Sequence, residues 1–181
     1  MTGVQTCALP ILHGQEVGRI RRLAGIRQCL EEHGLPEDHL EILSTSRKEF
    51  AKYPGDRAEY QNGYDRTIEA LQNGTASTAF IGNNDMTALG IMDAITKLGY
   101  KIPFDYSVCG FDNIPLASMK QISLTTIEHA TVQKGHEAVD LIHKKHSQDH
   151  SGRQPSYTVR LEYEPQLIVR NSTGKCRKNL R

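Results

Sequence analysis

Apolar residues recur along this chain in two periods, and the order in which those periods alternate predicts its layers. Over residues 18–34, Ile20, Leu23, Ile26 and Leu30 fall on one stripe of a helical period, which Gly34 and Pro36 end. Residues 40–44 read as a short strand, followed by a polar loop through Pro54 and Gly55. Tyr60, Tyr64, Thr67, Ile68 and Leu71 share a second helical face, stopped by Asn73 and Gly74. Residues 78–82 are a short apolar run suited to a strand buried on both faces. Asn83-Asn84-Asp85 then supplies cap residues for a helix carrying Ala88, Ile91, Met92, Ile95 and Leu98 on one side and ending at Gly99. After Pro103, residues 107–110 read as the next strand. Strand, helix, strand in this order is the βαβ unit, with parallel strands and a right-handed crossover.

Beyond Asp112 the pattern gives a loop through Pro115, a strand at 124–127 and a helix over 131–146 with Val132, Gly135, Val139 and Ile142 roughly on one face. Residues 147–156 are polar and form a loop. Tyr157, Val159, Leu161 and Tyr163 alternate with polar positions, and the alternation resumes at Leu167 and Val169. Pro165 interrupts it, which predicts an edge strand or two shorter strands. No internal repeat or low-complexity segment is present.

A length of 181 residues bounds the chain to one or two units. Hydrophobic residues at 38% and charged residues at 24% are the balance of a soluble globular protein. No apolar run approaches the roughly 20 residues of a membrane helix. The formal charge of +1 offers no footprint for the phosphate backbone, so if DNA is involved another segment must hold it. The basic run Lys175, Arg177, Lys178 and Arg181 reads as a solvated tail at 175–181. Cys7, Cys29, Cys109 and Cys176 form no C-x-x-C pair, which suits reduced thiols in a reducing compartment, with Cys109 a small apolar residue in a strand. The opening MTGVQTCALPI has neither the charged start nor the long apolar core of a signal peptide. It resembles a translated sequencing-adapter remnant, and residues 1–12 are therefore set aside as non-native.

In open parallel sheets, ligands bind beyond the carboxyl ends of the strands. Two polar loops have that position: Asn83-Asn84-Asp85 after the strand at 78–82, and Phe111-Asp112-Asn113 after the strand at 107–110. A carboxylate that accepts adjacent hydroxyls, an amide that donates and accepts, and an arginine fork suit a polyhydroxylated ligand. Arg22, off the apolar stripe of the first helix, is the natural cation. Helix capping accounts better for Asp85, and it competes evenly with a ligand role at Asn84, as a turn role does at Asp112. His136, His143, His146 and His150 have chelating spacings, but no Cys or acidic pattern closes a site; solvated histidines are the better account and no metal is expected. No phosphate loop, dinucleotide fingerprint, nucleophile elbow or H-E-x-x-H motif occurs, so neither a cofactor nor a catalytic residue is expected.

The run from Thr78 to Ile142 resembles the effector-binding region of LacI/GalR-type repressors. The resemblance rests on Asn84-Asp85 followed by Ala88-Leu89-Gly90, on Leu98-Gly99 before Ile102-Pro103, and on Gly110-Phe111-Asp112-Asn113-Ile114-Pro115-Leu116-Ala117. Leu124-Thr125-Thr126-Ile127, Arg22-Leu23-Ala24-Gly25 and the closing stretch from Leu167 to Gly174 extend it over about 18–174. It implies an α/β, type I periplasmic-binding-protein-like fold: Rossmann-like lobes of parallel sheet with helices on both faces, incomplete at the N-terminus. Residues 13–122 would form an incomplete C-terminal lobe lacking its first strand and helix, 123–150 would cross to the N-terminal lobe, and 151–174 would return. By resemblance, Arg22, Asn84 and Asp112 bind a small-molecule effector, a sugar, with Tyr60 or Phe111 as an apolar platform; a core role for Tyr60 is equally open. Glu128 and His129 fall where family members vary widely. The resemblance implies a cytoplasmic homodimer that holds operator DNA through a domain outside this chain, with no membrane association. A fragment of this kind is expected to fold poorly alone. A secreted sugar-binding protein of a transporter is the main alternative, and an enzyme the weaker one.

Overall fold

The computed structural model describes residues 7–12, 17–148 and 158–175. Four parallel strands lie in the order β2-β1-β3-β4, formed by β1 (Cys7–Leu12), β2 (Leu40–Thr45), β3 (Ala79–Ile81) and β4 (Ser107–Cys109). Helix α1 (Val17–Glu32) connects β1 to β2, α3 (Asp56–Gln72) leads from β2 over β1 to β3, and α4 (Asp85–Lys97) connects β3 to β4. The first connection runs one way along the sheet and the other two run back. Right-handed crossovers therefore put α1 on one face and α3 with α4 on the other. The direction reverses at β1, which makes the carboxyl ends of β1 and β3 the switch point where such sheets bind ligands.

The segment set aside in the sequence is in the sheet. Cys7–Leu12 pairs with β2 over its whole length and with β3 at Cys7 and Ala8. Setting residues 7–12 outside the fold is thereby corrected, since they form β1, while α1 is the helix predicted over 18–34. CALPIL is a short apolar run, which a strand buried in a parallel sheet accepts, and Pro10 lies past the end of the β1–β3 ladder where its missing N–H breaks no pair with β3.

The core gathers Phe80, Ile91, Ile95, Val108 and Leu124, all fully buried, with Tyr106 edge-on to Phe80. Helices α3 and α4 meet through glycines. A Cβ on Gly90 would stand 2.0 Å from the Tyr60 carbonyl oxygen, and one on Gly63 would stand 2.1 Å from that of Thr87. Leu124 belongs to this core and Thr125 bridges Cys109 in parallel, so the expected division at 122/123 falls inside packed structure. Past Thr125 the chain enters a second, two-stranded sheet, in which β5 (Thr126–Glu128) pairs antiparallel with β6 (Gln166–Ile168). Ser172 stitches the return: its hydroxyl donates to the Val108 carbonyl at 2.6 Å and accepts the Thr125 N–H at 2.7 Å.

Helix α5 (Thr131–Gln148) forms where its period predicts, but Val132, Val139 and Ile142 are exposed. The predicted strand after residue 157 is absent over 158–163; Val159 and Leu161 are exposed there, and no strand among the described residues pairs with them. The polar stretch after β2 contains a short helix, α2 (Arg47–Phe50), closed by a capping box between Ser46 and Glu49. Tail residues beyond Lys175, and His150, lie outside the described residues.

Candidate functional site

At the carboxyl end of β3 the chain turns through Gly82 and Asn83 into α4, and at the end of β4 it turns through Gly110 into the loop 111–114. A buried carboxylate joins the two turns. Asp85 is fully buried at the first turn of α4; its oxygens accept the Ile114 N–H at 2.8 Å and the Thr126 hydroxyl at 2.5 Å, while its own N–H donates to the Phe111 carbonyl. Gly110 makes room for it, since a Cβ there would lie 2.2 Å from Asp85 Oδ1. Burial pushes the Asp85 carboxyl above its ordinary value, against the two hydrogen bonds that favour the charged form. Sequence reasoning took Asp85 as a helix-start acid. Its position supports that reading, but its side chain serves the loop and β5.

The loop it fixes carries two consecutive residues at positive φ, Asp112 at 112° and Asn113 at 51°. Asn and Asp are the side chains that tolerate this region best after glycine. Asp112 N–H donates to the Ile127 carbonyl, and Asn113 is held from two sides: its Oδ1 accepts from Arg170 Nη2 at 2.7 Å, and its Nδ2 donates to Glu128 Oε2 at 2.9 Å. That last bond, first among several, holds the Glu128 carboxyl below its ordinary value. Arg170 also donates to the Leu124 carbonyl, so the closing segment of the chain clamps the loop.

Three of the expected site residues converge on this rim. Arg22, from α1, places its guanidinium 3.8 Å above the Phe111 ring and 3.6 Å from Asp112 Oδ1, and donates to the Asn83 carbonyl. Arg22 and Asp112 each keep about a third of their side-chain surface exposed, at 30% and 34%. A half-exposed cation beside a half-exposed acceptor is open to a ligand. Asn84, next to Asn83, caps α4: its Oδ1 accepts from the Thr87 N–H and hydroxyl, both at 2.8 Å. Tyr60 is not brought to the rim. Its hydroxyl donates to Asp93 Oδ2 at 2.6 Å, more than two turns along α4 from Asn84, and burial with that bond pushes it up to about 12.

His129 was not among the expected site residues, yet its Nε2 lies 3.0 Å from Asp112 Oδ1 and its ring 5.6 Å from that of Phe111. The sequence gives its place, just past the strand that borders the Asp112 loop, but not its partners. Cys29 and Cys109 are free thiols among the described residues, and burial pushes Cys109 up to about 11, as an inert strand residue requires. Among the described residues no three His, Cys, Asp or Glu side chains form a group able to hold a metal ion, and no helix is long and apolar enough to cross a membrane.

The rim therefore presents a guanidinium, a carboxylate and an imidazole beside an aromatic ring. That set recognises hydroxyls through directional hydrogen bonds. The family model of the periplasmic binding protein-like domain matches residues 3–173. The HTH-type transcriptional regulator DegA of Bacillus subtilis (strain 168) is 30% identical over 161 residues, 89% of this chain and 43% of the relative. The HTH-type transcriptional repressor PurR of Glaesserella parasuis serovar 5 is 36% identical over 115 residues, 62% of this chain and 33% of the relative. A crystal structure of a LacI family transcriptional regulator from Enterococcus faecium, with bound ribose, superimposes with a TM-score of 0.74 at 26% identity, covering 96% of this chain and 58% of that one. The chain thus spans less than half the length of these two curated relatives.

Proposed function

The chain belongs to the periplasmic binding protein-like domain family, and from that premise we propose that it is the effector-sensing part of a bacterial transcription repressor, with a sugar as the effector. The observation that carries this is the convergence of Arg22, Asp112 and Phe111 at the switch-point rim. In this reading the Asp112 carboxylate accepts paired hydroxyls, Arg22 donates in a fixed plane, and Asn84, whose Oδ1 caps α4, offers its Nδ2 as a donor. The relatives are named as transcription regulators, and one structural neighbour holds ribose; both favour a regulator over a transporter's binding protein. That the relatives are named as regulators supports binding without catalysis.

In this reading the protein works in the cytoplasm as a homodimer, and a segment outside these 181 residues holds operator DNA. Effector in the cleft shifts the population between two settings of the lobes, and by reciprocity DNA alters effector affinity. The division into 13–122, 123–150 and 151–174, moved to begin its crossing after Thr125, belongs to this proposal, as does the non-native origin of 1–12. Titration calorimetry with a panel of pentoses and hexoses, D-ribose included, tests the effector. Binding that Asp112→Ala weakens by about ten- to a hundredfold is expected, the loss of a charged hydrogen bond. Binding unchanged in Asp112→Ala would remove the site assignment. Sequencing the source DNA across the start of the reading frame tests the rest, since a DNA-binding head upstream is expected and a signal peptide there would favour the transporter alternative.

A further inference from the structure

Resting on that reading, we propose that His129 is a positioning residue for the effector site: Lys134 fixes its tautomer, and the ring in turn holds the Asp112 carboxylate at the rim and ties it to the start of α5. His129 sits in the turn between β5 and α5, where Ala130 takes a positive φ of 56°. Glu128 fixes that turn by accepting the Ala130 N–H at 2.9 Å on one oxygen and the Asn113 amide on the other. The ring then meets two partners. Its Nδ1 is 3.2 Å from Lys134 Nζ, and its Nε2 is 3.0 Å from Asp112 Oδ1.

These partners decide where the proton is. An ammonium only donates, so Nδ1 supplies a lone pair; an ionised carboxylate only accepts, so Nε2 carries the hydrogen. Both bonds run one way, from Lys134 to His129 to Asp112. The charged groups around the ring are Asp112, Glu128, Lys134 and, beyond Asp112, Arg22. A second proton on His129 would set an N–H against the Lys134 ammonium and break the chain at α5. His129 and Arg22 both approach Oδ1 of Asp112, which assigns the second oxygen, Oδ2, to a ligand hydroxyl. Lys134 also lies 5.4 Å over the Tyr163 ring, whose hydroxyl donates to Glu137 on the same helix. A change at Asp112 is therefore one ring away from the helix that leaves the sheet.

Glutamine has the groups to copy both bonds, its Oε1 accepting from Lys134 and its Nε2 donating to Asp112, whereas leucine copies neither. The experiment has two arms on the 181-residue chain. Nitrogen-15 spectra of its histidine side chains at neutral pH are expected to show His129 neutral with hydrogen on Nε2, and Lys134→Met is expected to admit the other tautomer. A ring protonated on Nδ1, or doubly protonated, would overturn the proposal. In calorimetry with the tightest-binding sugar of the pentose and hexose panel, His129→Leu is expected to lose about tenfold in affinity and His129→Gln to recover most of that loss. Equal affinity in both variants would overturn it too. Failure of the wild-type protein to bind any sugar of the panel counts against the effector reading, while the spectra still decide the ring.

Discussion

Helices α4 and α5 have similar apolar periodicity and opposite fates. On α4, Ile91 and Ile95 are fully buried against β3 and β4, and Gly90 lets α3 come into backbone contact. On α5, Val132 is 88% exposed and Ile142 70%, and in the returning segment Leu167 of β6 and Val169 just past it are also bare. The stripe of apolar residues specifies that a helix forms and which face wants cover; it does not specify what covers it. The rim site lies at the junction of the two regions, since Asp85 and Asp112 stand on the packed side and His129 begins the bare one.

Truncation should separate the regions most sharply. Ile91→Ala opens the core and is expected to cost about 2–5 kcal/mol, whereas Ile142→Ala on α5 should stay within about 0.5 kcal/mol in urea unfolding. Comparable losses would mean that α5 is packed in solution. Asp85 is the next largest effect. In Asp85→Ala the Ile114 N–H and the Thr126 hydroxyl lose their acceptor, for about 1–3 kcal/mol. The folded Asp85 carboxyl lies above its ordinary value, so the folded state binds the proton more tightly and this group's contribution falls as pH rises from the ordinary carboxylate value through the folded one. Asp85→Asn should remove that slope in unfolding measured between pH 4 and pH 7, and an unchanged slope would assign it elsewhere. Hydrogen exchange gives the finest comparison: α4 amides should exchange only through global unfolding, and α5 amides through cheaper local opening.

The packed region was legible in the sequence because each of its elements has its own period and its own stop signal: Asn73-Gly74 after α3, the Asn84 cap before α4, Gly99 after it. The failures have physical causes. Ser46 and Glu49 form a capping box inside a stretch whose polarity suggested only a loop. Alternation after residue 157 suggested a strand, but a strand needs a neighbour, and among the described residues of that stretch only Gln166–Ile168 has one. β1 was discounted for its resemblance to foreign sequence, although six residues of suitable hydrophobicity are enough to fill a place between β2 and β3. At the site, Arg22, Asp112 and Phe111 were legible as loop and helix residues at strand ends, whereas Tyr60 shares the same period and faces Asp93 instead. His129 escaped because its role comes from two partners, one 17 residues before it and one five after, that only the fold brings together.

The central claim is that the rim between Asn83 and Asp112 receives the effector. The most direct measurement is chemical-shift mapping of the labelled chain during titration with the sugar of the pentose and hexose panel that binds tightest. The account predicts saturable shifts confined to Arg22, residues 83–85, 111–113 and His129, abolished in Asp112→Ala. Saturable shifts elsewhere on the molecule, with these residues unmoved, would contradict it.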